Sequence, residues 1–153
     1  MSVACVKDEV KSEFHLKVIR LAKFWIDGTI LKEYVSAKSY MIELIAIHAQ
    51  RKRKNKCVVS GFRRFLAAMS QFGQLLFSIN GKVLVSFKND RPVLIDVVNP
   101  FLNLAQDISP KVVEGLQFQA METLKVLQQL KKSVNYIKLK DPIGAIFSKK
   151  LVK

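Results

Sequence analysis

The most charged stretch of the sequence gathers seven cations and no acidic residue within fourteen positions. These cations are Arg51, Lys52, Arg53, Lys54, Lys56, Arg63 and Arg64. Guanidinium and ammonium groups in such a run are suited to contacting the phosphates of nucleic acid without regard to base sequence. Two other interpretations stay open, namely a surface loop whose charges are simply solvated and a nuclear import signal.

A second candidate is the segment Lys38, Ser39 and Tyr40, which the pattern places in the first turn of a helix. Unpaired backbone N–H groups and the helix dipole favour an anion at a helix start. Lysine would add a charge, serine a neutral donor, and tyrosine a flat ring against which a base could stack. The alternative is a capping serine followed by a buried tyrosine.

A third candidate lies on the preceding helix, where Arg20 and Lys23 project to neighbouring positions because they are three residues apart. The alternative here is a solvated basic face with Trp25 in the core. His15 and His48 show no metal-ligand spacing and are expected to be ordinary helix-face residues. The sequence therefore offers cations and aromatic rings for a phosphorylated ligand, but no metal site.

Composition supports a polyanionic partner. The 153 residues suit one domain with a true core, and their formal net charge of +14 favours nucleic acid, a nucleoside triphosphate or an anionic membrane surface. Cys5 and Cys57 form no disulfide framework, which is typical of a reducing compartment. The apolar runs are too short to span a bilayer, and the first ten residues do not read as a signal peptide. The expected location is the cytoplasm, with the nucleus as the alternative.

The hydrophobic periodicity predicts a mostly α fold, a helical bundle with one short β-hairpin. Helices are expected over residues 9–27, 36–50 and 60–79, the third capped by Ser60, and a fourth begins at Ser109-Pro110 and reaches residue 130. The hairpin is expected to pair Lys82–Phe87 with Pro92–Val98. The folded domain is expected to cover residues 10–130, followed by a basic tail at 131–153.

Three segments resemble the 2′-5′-oligoadenylate synthetases, in the order in which that family carries them. They are Val18–Trp25, similar to the family's Ile-Arg-Leu-x-Lys-x-Trp helix, Ser39–Leu44, similar to its Tyr-x-x-Glu-Leu helix start, and Arg91–Asp96, similar to its Arg-Pro-Val-Ile-Leu-Asp-Pro strand. The resemblance covers the family's C-terminal helical lobe. The wider nucleotidyltransferase superfamily includes the cyclic GMP–AMP synthases, whose helical lobe shares a Ser-Tyr helix start.

The resemblance implies roles for individual residues. Lys23 matches the lysine that reaches the nucleotide triphosphate, with Arg20 as a supporting cation, and Tyr40 matches the aromatic residue that lies against the base. Ser39 stands where the synthetases often carry Gln, so its role is open between phosphate and base. Glu43 is expected to be structural and to pair with a neighbouring cation. The family also binds double-stranded RNA along a basic groove that both of its lobes share, in innate antiviral sensing.

The acidic residues depart from the family. The twelve of them include no DxD or DxE pair, and no Gly-Ser turn precedes one. Nucleotidyl transfer requires carboxylates that hold magnesium, so this chain is expected to be inactive alone. Magnesium and ATP would enter only with a separate catalytic lobe. Three hypotheses follow: a silent lobe that binds nucleotide or double-stranded RNA, an enzyme half completed by another chain, and a protein-interaction module that pairs with a partner or with itself.

Overall fold

The computed structural model describes residues 12–35, 38–78, 83, 85–87 and 89–140. It contains the helices α1 (Glu13–Asp27), α2 (Lys32–Val35), α3 (Ser39–Gln50), α4 (Val58–Ser70) and α5 (Pro110–Lys140), and the two-residue strands β1 (Leu76–Phe77) and β2 (Val93–Leu94). Short 3-10 turns cover Phe72–Gln74 and Val85–Phe87. The mostly helical class predicted from the sequence is confirmed.

The chain divides into two compact units at the Met121–Glu122 boundary, within α5. In the first unit, α1, α3 and α4 pack against one another. Their facing sides are fully apolar at Val18, Met41 and Phe65, each at most 1% exposed. In the second unit the structure describes the remainder of α5, whose side chains are exposed or half-buried as far as residue 133. None of the described helices combines the length and the apolar character needed to cross a membrane.

Helix α1 begins where its sequence supplies a cap. The Ser12 hydroxyl accepts a hydrogen bond from the backbone N–H of His15 at 3.2 Å, which satisfies a donor that the helix leaves unpaired. Predicted residues 9–11 lie outside the described part of the chain. The third predicted helix starts earlier than expected, because Cys57 and not Ser60 occupies the position before its first turn. It also ends at Ser70 and does not reach residue 79, so that prediction is wrong at both ends.

The predicted hairpin is also wrong. Strand β2 pairs in parallel with β1, with Leu76 opposite Val93 and Phe77 opposite Leu94. Val85–Phe87, which was expected to be a strand, forms a 3-10 turn. The other edge of β2 is met by residues 102–104 in antiparallel sense, with Leu104 N donating to Leu94 O at 2.8 Å. The short sheet therefore joins the end of the α4 segment to the loop that precedes α5.

Helix α5 starts as predicted, with Pro110 in its first turn and the Ser109 hydroxyl accepting from Val112 N at 3.4 Å. It continues ten residues past Leu130, into the region expected to be a basic tail. The apolar face of α5 is buried at Val113, Leu116 and Ala120. A further helix that the sequence did not predict, α2, occupies Lys32–Val35.

Gly61 of α4 packs tightly against side chains of α1. A Cβ atom at Gly61 would lie 2.7 Å from Cγ2 of the fully buried Val18 and 2.8 Å from Cζ of Phe14. Replacing a helical glycine with alanine ordinarily stabilises a helix by about 1 kcal/mol. We expect Gly61→Ala instead to lower the free energy of unfolding by about 1–3 kcal/mol, because the core must shift to admit the methyl group. Urea denaturation followed by circular dichroism measures the change.

Gly28 provides the matched control for this prediction. A Cβ atom there would come no closer than 3.5 Å to any neighbour. We therefore expect Gly28→Ala to leave the free energy of unfolding within about 0.5 kcal/mol of the wild-type value. Equal stability of Gly61→Ala and the wild type would contradict the tight contact between α4 and α1.

Candidate functional site

Lys38 stands at the position before the first turn of α3, and its side chain is directed at the loop before α5. Its Nζ donates to Leu104 O at 3.1 Å and forms an ion pair with Asp107 Oδ1. The hydrogen bond from Lys38 holds the pKa of the Asp107 carboxyl below its ordinary value. Ser39, the next residue, is exposed. The ammonium predicted to meet a phosphate thus connects α3 to a distant loop.

Tyr40 lies at the start of α3 beside the end of β2 and is 38% exposed. Burial, followed by the negative charges of Asp96 and Glu43, raises the pKa of its hydroxyl, while a hydrogen bond from the Val97 backbone opposes the shift. The phenol is therefore neutral at physiological pH. Its ring remains partly open to a ligand, as the sequence-based role requires.

Lys23 and Arg20 occupy different environments on α1. Lys23 Nζ lies 2.5 Å from Glu43 Oε1, in a pair whose side chains are 40% and 33% exposed. This pair confirms the expectation that Glu43 meets a neighbouring cation. Arg20 is exposed on the outer face of the same helix. A phosphate that approached Lys23 would have to compete with the Glu43 carboxylate.

The seven predicted RNA-contacting cations lie around the connection between α3 and α4. We call its residues Arg51–Lys56 the basic turn. Gln50 anchors this connection, because its amide donates to Gly61 O at 2.9 Å and its Oε1 accepts from Arg64 Nε at 2.8 Å. Arg64 Nη2 also donates to the Asn55 carbonyl oxygen at 2.9 Å. Arg64 is thus a structural cation that fixes the end of the turn.

Two further cations of this region lie against aromatic rings. The guanidinium carbon of Arg51 is 5.0 Å from the centre of the Phe77 ring, and Lys56 Nζ is 5.3 Å from that of Phe14. Cation–π contacts of this kind stabilise by about 0.5–1 kcal/mol at exposed sites. The basic turn is thus attached at both ends, to β1 and to α1.

The cations in the middle of the basic turn, unlike those at its ends, are exposed to solvent and lack side-chain partners among the described residues. Lys52, Arg53 and Lys54 are exposed, and within the described residues their side chains form no ion pair, hydrogen bond or ring contact. Lys52 has a φ of 59°, in the left-handed region, which turns the chain after α3. The structure therefore presents three cations to solvent on a connection whose ends are fixed.

His48 lies on α3 one turn before the basic turn. Its ring contacts Phe77 edge-on, with centroids 4.9 Å apart, and among the described residues its buried Nδ1 has no hydrogen-bond partner. Burial, and then the positive charge of Arg51, lower the pKa of His48 below its ordinary value. The imidazole is therefore neutral at physiological pH.

This environment predicts a pH dependence of stability. Because the folded-state pKa of His48 is lower than its unfolded value of about 6.5, the unfolded chain binds the proton more tightly. The free energy of unfolding should be unaffected by His48 above about pH 7.5 and should fall as the pH decreases through 6.5, by up to about 1.4 kcal/mol per pH unit. His48→Leu should be flatter between pH 7.5 and 5.5 in urea titrations. Parallel curves for the two proteins would show that His48 titrates normally.

The two groups of predicted site residues lie at opposite ends of α3. Helix α1 runs antiparallel to α3, so that Lys23 lies beside Glu43 near the start of α3 while Phe14 lies beside the basic turn after its end. The twelve residues of α3 separate the two groups by about 18 Å. The structure thus forms two regions, one around Tyr40 and one around the basic turn.

Several residues of these regions were not predicted from the sequence. Asp107 is 69 positions from its partner Lys38, and Phe77 was assigned to a helix. Asn103 is 3% exposed and uses its side chain to hold β2. Two features of these regions could have been recognised from the sequence. They are the basic composition of the turn and the turn-favouring Asn and Asp residues of the loop before α5.

A cleft of about 480 Å³ opens among residues of this loop and of the segment before β2. Its walls carry mostly polar side chains, namely Asn89, Asp90, Arg91, Asn103 and Gln106, with Pro92, Ala105 and Ile108. Within the described ranges, no three His, Cys, Asp or Glu side chains lie close enough to hold a metal ion. Comparison with protein-family models, with curated proteins and with solved structures gives no match to this chain.

Proposed function

We propose that this chain is a catalytically incomplete lobe, similar to the C-terminal lobe of the oligoadenylate synthetases, that binds double-stranded RNA through the phosphate backbone. The observation that carries the proposal is the basic turn. Lys52, Arg53 and Lys54 face solvent without partners in the described chain, on a connection held by Gln50 and Arg64. Cations so placed can meet phosphates without first breaking contacts of their own. A role in innate antiviral sensing belongs to the same proposal.

Salt dependence tests the proposal directly. Four phosphate contacts from the basic turn, including Lys56, would give log K a slope of about −3 to −4 against the logarithm of salt concentration. Affinity for a 20-base-pair RNA duplex should therefore fall by at least about 100-fold between 50 and 200 mM salt and should be independent of base sequence. A flat titration would remove RNA binding as the function.

Of the two ligands expected from the sequence, a mononucleotide is less well supported by the structure than double-stranded RNA. Lys23 is paired with Glu43, and Lys38 is paired with Asp107. ATP at the start of α3 would have to displace these carboxylates, and the net charge available to its phosphates is reduced. The accessible ring of Tyr40 is the observation that keeps this candidate.

Nucleotide binding has its own expected result. If ATP lies between Lys23 and Tyr40, the double variant Lys23→Ala/Tyr40→Ala should weaken ATP binding by at least about tenfold in isothermal titration, because it removes both a phosphate contact and a stacking surface. Circular dichroism checks that the helices are retained. Equal affinity of the variant and the wild type would assign these residues to structure alone.

An interaction module remains the second candidate function, supported by the loop after β2. Val98 and Phe101 are 67% and 73% exposed, while the Asp96 and Asn99 side chains accept from their backbone N–H groups and hold the loop. Apolar side chains held outward in this way are typical of a contact surface. A missing catalytic lobe or a second copy of this chain would be the partner, and magnesium with ATP would enter through the former. Concentration-dependent sedimentation tests the self-association.

A further inference from the structure

We propose that Lys17 connects the basic turn to Arg20 and Lys23, so that these residues form one continuous phosphate-binding surface. The ligand of this surface is a run of consecutive phosphates along an RNA duplex. The sequence assigned Arg20 and Lys23 to a nucleotide and the basic turn to RNA, and it gave Lys17 no role. This inference rests on the proposed RNA binding. It places cations that lie beside the start of α3 and cations that follow its end in contact with the same RNA duplex.

The connection begins at the contact between the basic turn and α1. Lys56 Nζ lies 5.3 Å from the centre of the Phe14 ring. Lys17 follows Phe14 by three residues, and residues so spaced are neighbours on a helix surface, with Cβ atoms about 5–6 Å apart. The charge of the turn therefore continues directly onto α1 at Lys17.

From Lys17 the cations follow a single row of the helix. Arg20 and Lys23 each come three residues after the previous cation, which makes Lys17, Arg20 and Lys23 one i+3 ridge. We call these three residues the α1 ridge. Lys17 and Arg20 are exposed, and the Lys23 side chain is 40% exposed. The buried face of α1 lies away from Lys17 and Arg20, which are open to a ligand, while Lys23 stands at the edge of that face.

The acidic neighbours of the α1 ridge do not close it. Lys17 Nζ lies 2.9 Å from Glu13 Oε1, with side chains 52% and 82% exposed, and Lys23 pairs with Glu43. The Lys17–Glu13 pair is exposed, and ion pairs of that kind contribute about 0–1 kcal/mol. A phosphate can replace Glu13 at little cost, whereas at Lys23 it competes with the half-buried Glu43 carboxylate, so the Lys23 contact is the weakest of the three.

The dimensions suit a nucleic acid strand. The α1 ridge extends about 9 Å along the helix axis from Lys17 to Lys23. Phosphates of one strand advance by roughly 3 Å each along a duplex axis, so the ridge spans about three of them, in addition to those at the basic turn. A mononucleotide, with its phosphates in one cluster, cannot reach both regions.

The experiment compares two variants that remove the same charge. The ridge variant carries Lys17→Gln, Arg20→Gln and Lys23→Gln. The α5 control variant carries Lys111→Gln, Lys125→Gln and Lys132→Gln, all exposed, and its Lys125 pairs with Glu122 as Lys17 pairs with Glu13. Binding of a 20-base-pair RNA duplex is measured by fluorescence anisotropy between 50 and 300 mM salt, with circular dichroism as the check on folding.

We expect the wild-type salt slope to be about −6, from seven contacts, and the ridge variant to retain about −3 to −4. At 100 mM salt the ridge variant should bind at least 30-fold more weakly, and the α5 control variant less than threefold. Lys17→Gln alone should reduce the magnitude of the slope by about 1.

Different failures are distinguishable. If the wild type does not bind the duplex, the proposed function falls and this inference falls with it. If the wild type binds but the ridge variant keeps its slope, the basic turn alone contacts RNA and the inference is wrong. An equal loss in the α5 control variant would mean that net charge, not position, sets affinity. Tighter binding to phosphatidylserine vesicles than to the duplex, lost in the ridge variant, would assign the surface to a membrane.

Discussion

Replacing Lys52, Arg53 and Lys54 together with glutamine should weaken binding of a 20-base-pair RNA duplex by about 100-fold at 100 mM salt. The three side chains are exposed and have no partners among the described residues, so their loss removes phosphate contacts without removing any internal contact. Each lost contact should also reduce the magnitude of the salt slope by about 0.9. Fluorescence anisotropy over a range of salt concentrations measures both effects.

The stability of this variant separates binding from folding. Because the fixed ends of the basic turn depend on Gln50, Asn55 and Arg64, we expect its free energy of unfolding to stay within about 0.5 kcal/mol of the wild-type value. The α5 control variant also loses three positive charges, but at other positions, and it should bind RNA with nearly the wild-type affinity. Unchanged RNA affinity in the glutamine variant would show that the basic turn is only a solvated loop.

Replacing Asn103 with alanine should lower the free energy of unfolding by about 3 kcal/mol, the largest stability effect that we expect from a single polar residue. The Asn103 Oδ1 accepts from Leu94 N at 2.9 Å and from Ala105 N at 3.1 Å, and its Nδ2 donates to Pro92 O at 3.2 Å. The residue is 3% exposed, so its loss strands buried backbone groups at about 1–3 kcal/mol each. Urea denaturation measures the change.

Asn99 provides the matched control in the same loop. Its Oδ1 accepts a single hydrogen bond, from Phe101 N at 3.0 Å, and the residue is exposed. Water can replace that bond, and Asn99→Ala should therefore cost less than about 1 kcal/mol. Similar costs for the two alanine variants would mean that Asn103 does not hold β2 as the structure indicates.

The helical part of the fold could be predicted because its signals are local. Ser12 before α1, Pro110 at the start of α5 and the three- to four-residue spacing of apolar positions act within one or two turns of the chain. The same spacing accounts for the burial of Met41, Leu44 and Ile45 in α3. Each of these helices is determined by the sequence of its own segment and by the burial of its apolar face.

The strands could not be predicted in this way. Strand β1 has two residues, and its partner lies 17 positions later in parallel register, so no turn between them marks the pairing. The β-branched residues at 82–87 fit a strand better than Leu76–Phe77 does, but Phe77 is buried beside His48 and Arg51. Tertiary contacts, not β propensity, select the paired segment here.

In the candidate site, too, some features follow from local sequence and others depend on tertiary contacts. The composition of the basic turn was visible in the sequence, but the difference between its solvent-facing cations and the structural Arg64 depends on Gln50 and Asn55 in three dimensions. The partners of Lys23 and Lys38 are 20 and 69 positions away, beyond any local spacing. The family resemblance and the roles it implies stay a prediction.

The anchoring of the basic turn by Gln50 and Arg64 has a consequence for recognition. A flexible segment of lysines must lose conformational freedom when it meets its ligand, and that entropy is subtracted from the affinity. Here folding has already restricted both ends of the segment, so the charged groups are preorganised before any encounter. Arg64, although directed inward, would thus contribute to binding through the order that it imposes on its neighbours.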